Sequence, residues 1–187
     1  MSIDVHTSHQ GLSKFHQLLA DQLRHEFTAS QQYVALAAWF DGRDLPRLAG
    51  FFYRQALEER DHAMMILRFL LDSGAPAPVP GTDAVQNDFD TPRDPVALAL
   101  RQERVVTDQF HRLAATAREE HDYTGEQFLQ WFLKEQVEEV ATMSTLLTVM
   151  DRANGDLFAV ETFVARDLSP GGAAETGAPE TAGPAVS

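Results

Sequence analysis

The sequence contains no cysteine, which excludes a disulfide framework and any metal site built from soft thiolates. Lysine is nearly absent: only Lys14 and Lys134 occur, and the remaining basic residues are scattered arginines. With 28 acidic residues against 15 basic ones the formal net charge is −13. Such a surface repels phosphate backbones and attracts cations, so nucleic acid is excluded as a main partner. Long apolar runs are missing too. The longest, Val34 to Phe40, is far short of the roughly 20 residues needed to cross a bilayer, and no membrane partner is expected. The opening Met1-Ser2-Ile3-Asp4-Val5-His6 lacks the basic and apolar regions of a signal peptide, so a cytoplasmic location is expected. What is present is a chain of 187 residues, 44% hydrophobic, which suits one domain with a substantial core.

Apolar residues recur at helical spacing along most of the chain. Thr7-Ser8-His9-Gln10 reads as a capping box, followed by Leu12, Phe15, Leu19, Leu23 and Phe27 on one face until Asp41-Gly42 stops the helix. Asp44 reads as the N-cap of a second helix with Pro46 in its first turn, running to Ser73 and Gly74. Residues 74–92 hold Pro76, Pro78, Pro80, Gly81 and Pro92, so this is a long connector. Extended, it is long enough to run back along a bundle and set the third helix parallel to the second. Thr91-Pro92 opens that third helix, which fades at His121-Asp122. Thr124-Gly125-Glu126-Gln127 is a second capping box, and Asn154-Gly155 ends the fourth helix in a left-handed turn. Asp156 caps a short fifth helix bearing Leu157, Val160, Phe163, Val164 and Leu168, which must dock on something to be stable. The expected architecture is all-α: a four-helix bundle (up-down, long crossover, up-down) with a fifth helix over 1–168. The tail, 169–187, is rich in Gly, Ala and Pro and has no apolar payload, so it is expected to be disordered.

Glu59 and His62 stand at i and i+3 and share a helix face. Alone, such a pair is ordinary on a solvated helix. Its company is not ordinary. Acids sit mid-pattern in all four long helices: Glu26, Glu58-Glu59, Glu103 and Glu135-Gln136-Val137-Glu138-Glu139. A shift of 77 residues lays Glu26 on Glu103, Gln32 on Gln109, Tyr33 on Phe110, Phe51 on Phe128, Glu58 on Glu135, Glu59 on Gln136 and Leu70 on Leu147. One offset serving both pairs describes two helix hairpins built alike. Four helices with inward acids and a Glu-x-x-His motif form the di-iron carboxylate type of bundle.

Together these positions resemble the bacterial non-haem ferritins over roughly residues 8–168. The resemblance rests on Glu26 to Tyr33, the run Glu58-Glu59-Arg60-Asp61-His62-Ala63, Glu103 and Glu135-Gln136. It implies a ferroxidase that turns Fe(II) into Fe(III) with O2 or H2O2 and stores ferric mineral in a hollow shell, by analogy of 24 subunits. It further implies that Glu26, Glu59 and His62 hold the first iron, that Glu59 bridges to a second held by Glu103, and that Gln136 and Tyr33 lie beside them. Glu58, Glu135, Glu138 and Glu139 resemble an additional iron site. In the same comparison Glu126 aligns with an acid of the shell's three-fold channels, amid Glu119, Glu120, His121 and Asp122.

Two departures narrow the subtype. Bacterioferritins carry a second Glu-x-x-His where this chain has Gln136 and Glu139, and bind haem through a methionine where it has Arg60. Met64 and Met65 read as core, so no haem is expected. Two other readings stay open: a rubrerythrin-like oxidoreductase that retains its irons, disfavoured by the missing cysteine pair, and a metal-free helical scaffold or cargo protein.

Overall fold

A computed structural model describes residues 12–168 and 177–183. Five helices follow in order: α1 (Lys14–Asp41), α2 (Pro46–Asp72), α3 (Arg93–Glu119), α4 (Tyr123–Ala153) and α5 (Leu157–Asp167). No strand occurs among the described residues. The hairpins α1/α2 and α3/α4 pack most extensively, and α5 lies against α2 and α4.

The connector runs along α1 and in the same direction. Arg24 pairs with Asp83, and the Asp83 N–H donates to Thr28 Oγ1 at 3.1 Å. Gln32 clamps the Gln86 backbone from both sides, donating to its carbonyl and accepting from its N–H, each at 2.8 Å. Phe89 then meets Trp39 edge to face at 5.9 Å. These contacts climb α1 from 24 to 39 as the loop climbs from 83 to 89, so α3 starts at the end where α2 starts. The two therefore run parallel, as expected from the loop's length.

Helix ends depart most from the sequence expectation. The box at Thr7–Gln10 lies outside the described residues. Ser13 caps α1, accepting from the His16 N–H at 3.2 Å, and the carboxylate of distant Glu120 accepts from Lys14 and Phe15 N–H at 2.9 and 3.0 Å. Asp44 does not cap α2. Its φ of 55° is left-handed, whereas an N-cap needs an extended backbone. Leu45 holds that position without a side-chain bond, and Glu161 of α5 accepts from Arg47 and Leu48 N–H at 2.9 and 2.8 Å. At α4, Asp122 rather than Thr124 is the cap, accepting from the Gly125 N–H at 2.8 Å. Gly125 is required there, because a Cβ would overlap the Phe15 ring. Asn154 (φ 48°) and Gly155 (φ 92°) end α4 in the left-handed turn, and Asp156 caps α5 by accepting from the Ala159 N–H at 3.1 Å.

Helix α5 buries Val160 and Val164 but leaves Phe158 83% exposed. The tail is not wholly without a docking place, contrary to its composition. The Ala182 N–H donates to the Met64 carbonyl at 3.0 Å, and Gly177 and Pro179 line a shallow pocket with Phe69, Phe128 and Trp131. Met65 is core and Met64 half-buried. Among the described residues no helix is long and apolar enough to cross a membrane. The core forms two apolar blocks, one around Phe40, Phe52, Leu48 and Leu146, the other around Phe15, Leu23, Phe110 and Phe132. The buried acids come from the helix turns between these blocks.

Candidate metal centre

Mid-bundle, each long helix places a polar residue inward at a position its neighbours make apolar. Glu26 (α1) and Glu103 (α3) are completely buried, and Glu59, His62 (α2) and Gln136 (α4) nearly so. One ligand atom from each of Glu26, Glu59 and His62 lies within 4.8 Å of the other two. Glu26 Oε2, Glu59 Oε2 and His62 Nδ1 are buried with no hydrogen-bond partner among the described residues. Buried polar atoms are rarely left so, and two carboxylate oxygens beside an imidazole nitrogen make a hard, mixed O/N donor set that fits a divalent first-row cation.

Around this trio the remaining groups act as orienters. Gln22 Nε2 donates to Glu26 Oε1 at 2.8 Å and to Gln109 Oε1 at 3.1 Å. The Tyr33 hydroxyl, fully buried, donates to Glu103 Oε1. Gln136 Nε2 lies 3.4 Å from Glu103 Oε2, and its Oε1 lies 3.0 Å from Thr107 Oγ1. The rings of Trp131 and Phe132 stand edge-on to His62 at 5.4 and 5.7 Å, fixing the imidazole and excluding water from its side.

Burial sets the electrostatics. Transferring a carboxylate from water costs several kcal/mol even after relaxation, so the charged forms are disfavoured. Glu26 is held well above the usual carboxylate range by burial and then by the neighbouring Glu59. Glu59 is raised by burial and by Glu103. Glu103 is lifted by burial to about 7, against the Tyr33 hydrogen bond that pulls it down. Tyr33 itself is raised by burial and by Glu103. A cation would reverse these shifts by favouring the ionised acids.

A second cluster adjoins the first. Glu135 and Glu139 are buried, and burial together with Glu103 and Glu58 raises Glu139. Gln55 Nε2 donates to Glu58 and lies 3.5 Å from Glu139 Oε1. Glu138 does not share this environment: it is exposed and pairs with Lys134 at 3.3 Å. The acidic patch at the α3–α4 joint is also partly committed within the subunit. Glu120 and Asp122 are caps, and Glu126 pairs with Arg118.

Gln22, Gln55 and Thr107 were not expected to matter. Each lies four residues from an acid of the centre: Gln22 from Glu26, Gln55 from Glu59, Thr107 from Glu103. That same-face spacing is the signal that would have found them.

Comparison with known proteins agrees with this geometry. The profile of a family described as "Ferritin-like domain" matches residues 16–153. The chain is 60% identical over 174 residues to "Ferritin BfrB" of Mycolicibacterium smegmatis, covering 93% of this chain and 96% of the relative. It is 38% identical over 138 residues to a "Bacterial non-heme ferritin" of Staphylococcus aureus, covering 74% and 83%. Among solved structures, an open pore ferritin from Archaeoglobus fulgidus superposes with a TM-score of 0.79 at 25% identity, covering 82% of this chain and 95% of that one.

Proposed function

The chain belongs to the ferritin family, and from that premise we propose that it stores iron: it oxidises ferrous ions with dioxygen or hydrogen peroxide and keeps the ferric product inside a hollow shell of its own copies. The observation that carries the catalytic part is the buried trio Glu26, Glu59 and His62, which brings one ligand atom from each within 4.8 Å of the others and leaves Glu26 Oε2, Glu59 Oε2 and His62 Nδ1 without a hydrogen bond among the described residues. A metal-free scaffold has no reason to leave three such atoms facing one another in a dry core. A cofactor-retaining oxidoreductase with a cysteine-ligated partner site is disfavoured by the absence of cysteine.

In this reading Glu26, Glu59 and His62 hold the first ferrous ion, and Glu59 also serves a second one held by Glu103 beside Gln136. Each ferrous ion yields one electron. A pair reduces dioxygen, with two protons, to hydrogen peroxide, or hydrogen peroxide, with two protons, to water. Gln22 keeps Glu26 in its rotamer and Tyr33 keeps Glu103 in its own, so the ligands need little reorganisation on loading. Glu58, Glu135 and Glu139, with Gln55 between them, offer the departing ferric ion its next oxygen ligands, and that cluster is the additional iron site. The shell is of the 24-subunit kind, with α5 and its exposed Phe158 in the contacts between copies.

The test is the double variant Glu59→Ala/His62→Ala. It should lose the fast phase of aerobic ferrous oxidation, followed by absorbance of the ferric product, while eluting as the same assembly. An unchanged initial rate moves the chemistry elsewhere.

A further inference from the structure

Thr107, on α3 one turn beyond Glu103, makes two contacts that a single hydroxyl hydrogen cannot serve together. Its Oγ1 lies 2.8 Å from the Glu103 backbone carbonyl and 3.0 Å from Gln136 Oε1. Both are acceptors, and a hydroxyl has one hydrogen to give. If the hydrogen goes to Gln136 Oε1, the amide points nitrogen-first at Glu103, as its 3.4 Å contact from Nε2 to Oε2 records, and the bond to the carbonyl is given up. If the hydrogen goes to the carbonyl, Oγ1 can only accept. The amide must then present Nε2 to Thr107 and turn its oxygen toward Glu103. With Glu103 ionised, two oxygens facing one another there repel unless a cation stands between them.

We propose that Thr107 is a positioning residue whose hydroxyl lets the Gln136 amide turn oxygen-first when a cation occupies the Glu103 side of the centre, and nitrogen-first when none does. Gln136 thereby serves as a neutral oxygen ligand in the loaded centre and as a hydrogen-bond donor to Glu103 in the empty one. The inference deepens the proposed ferrous-oxidation centre and rests on that reading.

The hydrogen bonds can be counted. In the oxygen-first arrangement Thr107 both donates to the Glu103 carbonyl and accepts from Gln136. In the nitrogen-first arrangement it only donates. Thr107 thus makes one more bond in the loaded state, and by linkage whatever favours that arrangement tightens the cation that requires it. The two sides of the centre then differ in adjustability. Glu26 is held by Gln22, whose amide nitrogen donates to both Glu26 and Gln109, an arrangement with a single favoured direction. Gln136 has two.

The variants are Thr107→Val, which keeps shape and removes the hydroxyl, and Thr107→Ser, which restores it. Assembled full-length protein is titrated anaerobically with Co(II), and crystals soaked at limiting Zn(II) assign occupancy by anomalous scattering to the Glu26/Glu59/His62 side or the Glu103/Gln136 side. Thr107→Val should weaken binding on the Glu103 side by about three- to tenfold, the worth of one net hydrogen bond, leave the Glu26 side unchanged and be rescued by Thr107→Ser. Equal weakening on both sides, no weakening, or failure of serine to rescue overturns the assignment. A parent protein that takes up no cation on either side overturns the oxidation centre itself, and this inference with it.

Discussion

At the scale of single residues the centre trades stability for chemistry. Glu26 is completely buried, and its carboxyl is held well above the ordinary range by burial and by Glu59. Glu26→Gln keeps the volume and removes the charge, so it should raise the unfolding temperature of metal-free protein, increasingly so with rising pH, while abolishing cation binding beside His62. A parent and variant with equal unfolding temperatures across that range would show that this carboxylate costs the fold nothing. The pH dependence follows from Glu103, whose folded pKa of about 7 exceeds its ordinary 4.5. A raised folded pKa means the native state holds the extra proton between those values, so the stability it contributes is complete below 4.5 and is lost as pH rises through 7. Cation loading should therefore expel protons most strongly below pH 7, and cation affinity should climb with pH over the same window. Titration calorimetry in buffers of different ionisation enthalpy reads that release. A proton count independent of pH would contradict it.

Among the elements, the long helices and their inward acids were legible in the sequence because periodicity is local. One offset of 77 residues aligned Glu26 with Glu103 and Glu59 with Gln136; Glu59 lies beside Glu26 and Glu103, and Gln136 Nε2 lies 3.4 Å from Glu103 Oε2. The starts of α3 and α5 were legible too, but the starts of α1, α2 and α4 were not. Asp44 has the right chemistry for a cap and is not used, because the amides at the start of α2, like those of α1, are filled by an acid more than a hundred residues away in sequence, Glu161 and Glu120 respectively, whereas Thr124 is displaced by its neighbour Asp122. No local pattern can report a cap brought by tertiary folding. Gln22, Gln55 and Thr107 were missed for a different reason: a neutral side chain gives no signal until the acid it orients is known. The trans caps are testable. Glu161→Ala should lower the unfolding temperature by the loss of about 1 kcal/mol per subunit typical of a helix cap, and protease sensitivity at the α2 start should rise. Glu120→Ala should do the same at α1. The Phe15 and Lys14 N–H groups hold the Glu120 carboxyl below its ordinary range, so its contribution is complete above that range and is lost as pH falls through the lowered folded pKa. Unaltered protection at both helix starts would show that these carboxylates do not cap.

For the whole molecule, α5 ties the fold to the proposed shell. Among the described residues its Phe158 side chain is left largely exposed, and its Glu161 holds the start of α2. A chain ending at Asp156 should elute below the size of the shell, and a full-length monomer at micromolar concentration would refute the proposed shell. A chain ending at Leu168 should still assemble, but, read in a Trp39→Phe background, the emission of Trp131, which lines one shallow pocket with Gly177 and Pro179, should shift to the red. An unshifted spectrum would show that 177–183 does not cover that ring in solution. The caps also bear on synthesis. Phe15 and its cap Glu120 are 105 residues apart, and Leu48 and Glu161 are 113 apart. At ribosomal rates of about 5–20 residues per second, the first hairpin, complete at Asp72, waits roughly 2 to 10 seconds for Glu120 and roughly 4 to 18 seconds for Glu161. It carries Glu26, Glu59 and His62 throughout that wait, so in the proposed reading a nascent chain would meet iron with three of the proposed ligands on an open-ended hairpin, and translation itself would time the completion of the centre.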